Sequence, residues 1–436
     1  MTRSELASNE ATSQSAPVGA ALVFEDTAYL DGVASDPRKF GWMQGFPPPT
    51  NKQITFEGGR YMNFPEIRWS LSHMRELVPT VSVGHAGGVG LSLNEPSPAD
   101  TAAVEALAFT DMNGRSRRFG DALLDTYTDG IMILHRGRVV FERYFGALER
   151  KMPHACFSVT KSYAGTLTAA LVHEGMLDEG KLIPHYLPEL RRTAWEDATL
   201  RQVMDMQIGM DYSEDEADDQ SSSSIYMRAC RTRPRPANYD GPQSSCDFLR
   251  TVRKEGEHGK LFSYKSVNTQ VMAWVMSRVT GCSFAQLLHE RLWSPLGCED
   301  DGYLVIDPAG MPSASGGLYA SLRDLTRFGE MIRRDGEWNN RQIIPASVIE
   351  DIRRGGDRAK FTYKSMPGYS YRSMWWVPHD EFGAIEAYGI YGQRLYIAPK
   401  AEMVIALFAS RPLATSAFSD LITVPQMLEL GRFLRG

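Results

Sequence analysis

Hydrophobic residues follow two different rhythms along the chain. Over 129–144, two runs rich in β-branched and aromatic residues flank His135-Arg-Gly-Arg138, a pattern that predicts a β-hairpin. A second strand, turn, strand pattern runs over 388–398, Pro399-Lys400 and 403–409, and the spacing over 419–434 predicts a closing helix. Between these ends the period lengthens to about 3.6, predicting helices over 200–206, 245–253, 269–279 and 284–289. Strands from both ends with helices between them predict an α+β fold. It would be an antiparallel β-sheet flanked by helices, with an inserted all-helical subdomain over about 177–331. The main domain is then 121–436. Residues 21–120 carry Pro and Gly clusters with little sustained period, which predicts a mostly irregular extension packed on the main domain. Residues 1–20 are small and polar and have no apolar segment of the secretory type, so they read as a disordered leader.

One helix stands apart. An Ala/Leu-rich run over 162–173 follows Ser158-Val-Thr-Lys161 and leaves almost no polar face, so Lys161 is expected to be carried into the interior. Positions i and i+3 share a helix face. A buried amine held uncharged can take the proton of a serine hydroxyl, so the pair predicts a nucleophile with its own base, and hence acyl transfer. At the first turn, unpaired backbone N–H groups and the positive end of the helix dipole favour a developing oxyanion. The bare Ser-x-x-Lys pattern occurs by chance about once in a chain of this length, so its context carries the argument.

Composition narrows the reading further. The chain has 436 residues, 43% hydrophobic and 23% charged, with a net charge of −6. The acidic balance argues against nucleic acid as a partner, and no apolar run is long enough to suggest a membrane span. Five widely spaced cysteines, with no Cys-x-x-Cys and no histidine cluster, predict reduced thiols, no metal and a cytoplasmic setting. No cofactor is expected. The oligomeric state is left open, a homodimer being one option.

A second motif, Tyr264-Lys-Ser-Val-Asn268, lies just ahead of the helix predicted over 269–279. A tyrosine beside a buried lysine can exist partly as phenolate or relay a proton, which makes Tyr264 a candidate acid/base; a ring packed against a helical lobe is the plain alternative. Together the Ser-x-x-Lys, the Tyr-x-Ser and a Gly-containing strand near the C-terminus resemble the class C β-lactamase-like branch of the serine β-lactamase and penicillin-binding-protein superfamily. The stretches 157–162, 202–215, 264–274, 374–376 and 389–393 look like the 6-aminohexanoate-dimer hydrolases and their carboxylesterase relatives.

The resemblance covers roughly 120–430 and implies a covalent acyl-enzyme acting on small esters or linear amides. It implies Ser158 as nucleophile, Lys161 as its activating amine and Tyr264 as the proton shuttle to the leaving group. It places Ser266 and Asn268 in the supporting hydrogen-bond network, and makes the backbone N–H groups of Ser158 and Ile390 an oxyanion hole. Gly389 would let substrate approach the strand closely, with Tyr391 and Trp376 beside the substrate. Glu216 stands where the dimer hydrolases carry a substrate-contacting tyrosine, which puts amide-dimer cleavage in doubt. The lysine of the lactamase Lys-Thr-Gly motif has no counterpart in Ala387-Tyr-Gly-Ile390, which weakens a β-lactamase or D-amino-acid peptidase reading. A non-catalytic ligand-binding protein of the same fold is the alternative from another class. The acidic run 214–219 either attracts an amine-bearing substrate or is a solvated loop, and Arg228, Arg231, Arg233 and Arg235 follow it, either to hold a substrate carboxylate or to pair with that loop.

Overall fold

The computed structural model describes residues 20–24, 27–85, 93–215 and 218–436. The leader is therefore outside the described residues up to residue 19, as is Glu216. At the centre is a seven-stranded antiparallel sheet. In spatial order its strands are Ser370–Arg372, Trp375–Val377, Ile385–Gly389, Gln393–Ala398, Met403–Ala409, Thr128–His135 and Arg138–Tyr144. Successive side chains on a strand point to opposite faces, and here both faces are covered. Ile131, Ile133, Ile405 and Leu407 join Phe119, Leu123, Met427 and Leu430 on one side. Met132, Leu134, Val404, Ala406 and Phe408 join Leu325, Phe328 and Met331 on the other. This double burial explains why the strand patterns are almost continuously apolar.

The predicted hairpin is present. Arg136 and Gly137 both have positive φ, 53° and 76°, the two-residue turn whose twist matches antiparallel strands. The second predicted hairpin is present too, Gln393–Ala398 pairing with Met403–Ala409 across Pro399-Lys400, but its first strand is shorter than expected. The run 388–398 is not one strand: the chain turns over Ile390–Gly392, and Ile385–Gly389 pairs back on Gln393–Ala398. Tyr391 (φ 61°) and Gly392 (φ 102°) make that reversal, which a strand-like composition conceals.

Helices fill the middle of the chain as predicted, including Leu200–Met204, Ser245–Leu249, Val267–Thr280 and Phe284–Leu288. Within 177–331 the run of helices is interrupted after Leu296. Strands Gly302–Val305 and Leu318–Ala320 then pair with each other and with Thr80–Val83 and His154–Ala155 in a four-stranded sheet. The helix Leu322–Arg333 packs on the central sheet. The extension is ordered by its own apolar cluster. Trp42, Ile54, Tyr61, Ile67, Trp69, Met74 and Val78 pack against Ala155, Tyr303, Val305 and Tyr319.

Candidate active site

Ser158 stands at the start of the helix Val159–His173, already in helical geometry (φ −66°, ψ −7°). Serine is a favoured helix cap, yet its side chain caps nothing here. The hydroxyl turns toward Lys161, with Nζ 2.8 Å from Oγ. Three-residue hydrogen bonds tighten this first turn, Lys161 N–H donating to the Ser158 carbonyl at 3.0 Å. The preceding residue, Phe157, is held at φ 43°, a conformation costing on the order of 1 kcal/mol.

Lys161 is only 1% exposed. Its Nζ donates to the Ser315 carbonyl and lies 5.1 Å from the centre of the Tyr264 ring. The Tyr264 phenol lies close enough to the Ser158 hydroxyl to be influenced by it. Burial pushes this phenol above the ordinary tyrosine range, the Ser158 contact pulls it down, and the Glu214 carboxylate adds to the upward push. Burial therefore favours the neutral form of this phenol.

Ser158 and Lys161 open onto a cavity of about 290 Å³, also lined by Ile390, Tyr391, Ser266, Glu214 and Gly316. Gly389 is tightly packed. A Cβ there would lie 2.7 Å from the Cys156 carbonyl, so the glycine lets the strand end pack against the segment leading into Ser158. Ile390, the next residue, lines the cavity together with Ser158.

Ser266 is engaged by Glu214, whose carboxylate accepts from its N–H at 2.5 Å and its hydroxyl at 3.3 Å. Asn268 faces away from the cavity: its side chain accepts from Trp195 Nε1 at 2.9 Å inside the lobe, because two residues beyond Ser266 the helix has turned it into the core. Trp376 does not line the cavity either. It stacks behind Tyr264 with ring centres 5.4 Å apart and backs that ring. Arg228 and Arg233 pair with Asp219 at 3.0 and 3.2 Å, the loop-pairing alternative, while Arg233 also reaches the cavity wall.

Sequence reasoning missed three contributors. Glu214 belongs to a loop that reads as solvated acid. Ser315 acts through its carbonyl, which no side-chain pattern reveals. Tyr61, Met62, Met74 and Val78 come from the extension, yet they form one wall of the cavity. Among the described residues no group of three or more His, Cys, Asp or Glu is placed to hold a metal, and all five cysteines are unpaired. Among them, too, no helix is long and apolar enough to cross a membrane.

A family profile, Beta-lactamase, matches residues 117–423. The chain belongs to the beta-lactamase family. By that membership it is a hydrolase. Within the beta-lactamase family it is similar to 6-aminohexanoate-dimer hydrolase from Paenarthrobacter ureafaciens, 33% identical over 355 residues that span 80% of this chain and 86% of the relative. A solved structure from Bacillus anthracis, provisionally named as a 6-aminohexanoate-dimer hydrolase, superposes with a TM-score of 0.81 at 31% identity, covering 89% of this chain and 98% of that one. A family VIII carboxylesterase shares the fold at a TM-score of 0.52 and 14% identity, over 77% of this chain and all of that one.

Proposed function

We propose that the protein is an ester or amide hydrolase that works through a covalent acyl-enzyme on Ser158. The observation that carries this reading is the 2.8 Å contact between the Ser158 hydroxyl and a lysine amine removed from water. Burying an ammonium costs far more than burying an amine, so the site favours Lys161 as a proton acceptor. In the proposed sequence the Ser158 proton passes to Lys161 as Oγ bonds to the substrate carbonyl carbon. The resulting oxyanion is held by the N–H groups of Ser158 and Ile390. Tyr264 then gives its proton to the departing nitrogen or oxygen and is reprotonated from Lys161, leaving an ester on Ser158. Water then gives a proton to Lys161 as it attacks that ester, and this proton returns to Ser158 Oγ as the acyl C–O bond breaks, releasing the acid and restoring the free serine. The likeness to 6-aminohexanoate-dimer hydrolase supports a linear amide or a simple ester as substrate. The unpaired cysteines are consistent with a reducing compartment such as the cytoplasm.

The test is mass spectrometry of the folded protein after a fluorophosphonate or a slow p-nitrophenyl ester. A single adduct on Ser158 is expected, and Ser158→Ala should lose the adduct and at least about 10³-fold in kcat while unfolding at the same temperature. An adduct elsewhere, or turnover by Ser158→Ala, refutes the assignment.

A further inference from the structure

Two walls of the cavity are held in different ways. On the side of the extension, Tyr61 Oη donates to the Thr232 carbonyl at 2.5 Å and fastens the wall across to the lobe. On the side of Ile390 the fastening lies beneath the turn. The Ile390 carbonyl accepts from the Gln393 side chain, the Tyr391 N–H donates to the Ala414 carbonyl, and the Tyr391 carbonyl accepts from the Arg411 N–H, each at 3.1 Å. The Arg411 side chain then passes under Gly392, where a Cβ would collide with its guanidinium. Arg411 is only 1% exposed, and among the described residues no carboxylate lies within ion-pair distance of it. Asp420, the acid that acts on it most strongly, is engaged by Arg394 at 2.7 Å and by the Ser416 hydroxyl at 2.9 Å. The guanidinium instead donates to the Ser419 and Thr423 hydroxyls of the helix Ala417–Arg435, with Nε 3.4 Å from the Thr126 carbonyl. Burial pulls it down to about 10, which still leaves it charged at neutral pH. A charge buried without a counterion opposes folding, and an apolar side chain of similar volume would fill the space at lower cost. Packing alone therefore does not call for arginine at 411, whereas an oxyanion site gains from a rigid turn and a fixed positive charge.

We propose that Arg411 is a positioning residue for the hydrolysis: its clamped guanidinium holds the reversal over Ile390–Gly392 from beneath and so fixes the Ile390 N–H for the oxyanion. The proposal rests on the acyl-enzyme reading above and adds the closing helix to the machinery that sets the oxyanion hole.

The experiment compares the unaltered protein with Arg411→Met and Arg411→Lys by kcat and KM for p-nitrophenyl butanoate, Ki for a trifluoromethyl alkyl ketone, and thermal unfolding. The ketone adds to a serine as a tetrahedral oxyanion, so its affinity reports the hole directly. Arg411→Met should lower kcat about 10- to 100-fold and weaken the ketone by a similar factor, with KM changed less than about threefold. Arg411→Lys keeps the charge but loses the fork, and should recover only part of the loss. Should Arg411→Met fail to fold, Thr423→Val, which removes one acceptor at the far end of the fork, should give the same pattern at about three- to tenfold. A folded Arg411→Met with unchanged kcat overturns the proposal. So does a fall in kcat without a matching loss of ketone affinity, or a rise in KM alone. If the unaltered protein neither acylates Ser158 nor binds the ketone, the acyl-enzyme reading falls and the role of Arg411 with it.

Discussion

Ser158, Lys161 and Tyr264 meet through one tight helical turn and one contact across more than a hundred residues. The consequence for pH is specific. Burial and Glu214 raise the phenol above its ordinary value near 10, so it keeps its proton throughout the neutral range and no activity should be lost to its ionisation below about pH 10. Tyr264→Phe should reduce kcat by about 10²–10⁴-fold, and the loss should shrink with leaving groups as good as p-nitrophenolate, which need no proton. Parallel kcat–pH profiles on an anilide and a nitrophenyl ester check both statements. The Ser158–Lys161 pair was legible because spacing on one turn fixes which side chains meet. The Ser315 carbonyl was not, since a backbone acceptor brought in by the tertiary fold leaves no mark on local pattern. Asn268 was misplaced for a related reason: adjacent helix positions lie about 100° apart, so a motif read as one unit divides between cavity and core.

Among the elements, the hairpin around Ile390–Gly392 determines where the proposed oxyanion donor lies. Gly389→Ala would drive a methyl group against the Cys156 carbonyl and the Gln393 side chain. We expect a stability loss of about 1–3 kcal/mol by chemical denaturation and a fall in kcat of at least about tenfold with a smaller change in KM. An unchanged kcat would mean that the strand end does not set the Ile390 N–H. The helices of the lobe and the first hairpin were readable because their periodicities are local. The added reversal over Ile390–Gly392 was not, because it depends on a positive φ at Tyr391, a residue whose ordinary preference is for a strand.

For the whole molecule, the extension and the sheet are joined through a buried charge. Arg68 donates to the Gly32 carbonyl at 2.6 Å and lies 3.3 Å from Asp129, which also pairs with His154 at 3.2 Å. Arg68→Met should cost about 3–5 kcal/mol by urea denaturation, and adding Asp129→Asn should recover part of it by removing the stranded charge. A second expectation concerns alkali. Burial holds Tyr163, Tyr319, Tyr371 and Tyr388 well above the ordinary tyrosine range. Their contribution to stability is fully present below about pH 10, where the unfolded phenols keep their protons, and is lost as pH rises beyond it. Phenolate absorbance should therefore appear together with loss of near-UV circular dichroism; phenolate formed in still-folded protein would contradict this. Pro- and Gly-rich composition concealed the extension's order, because its Trp, Tyr and Met side chains find their partners far along the chain and so show no period. The Tyr61–Thr232 tether has one more implication. It bridges two regions 171 residues apart at the edge of the chamber, so Tyr61→Phe would leave the chemistry intact but loosen the rim, admitting bulkier and branched substrates at the expense of discrimination between them.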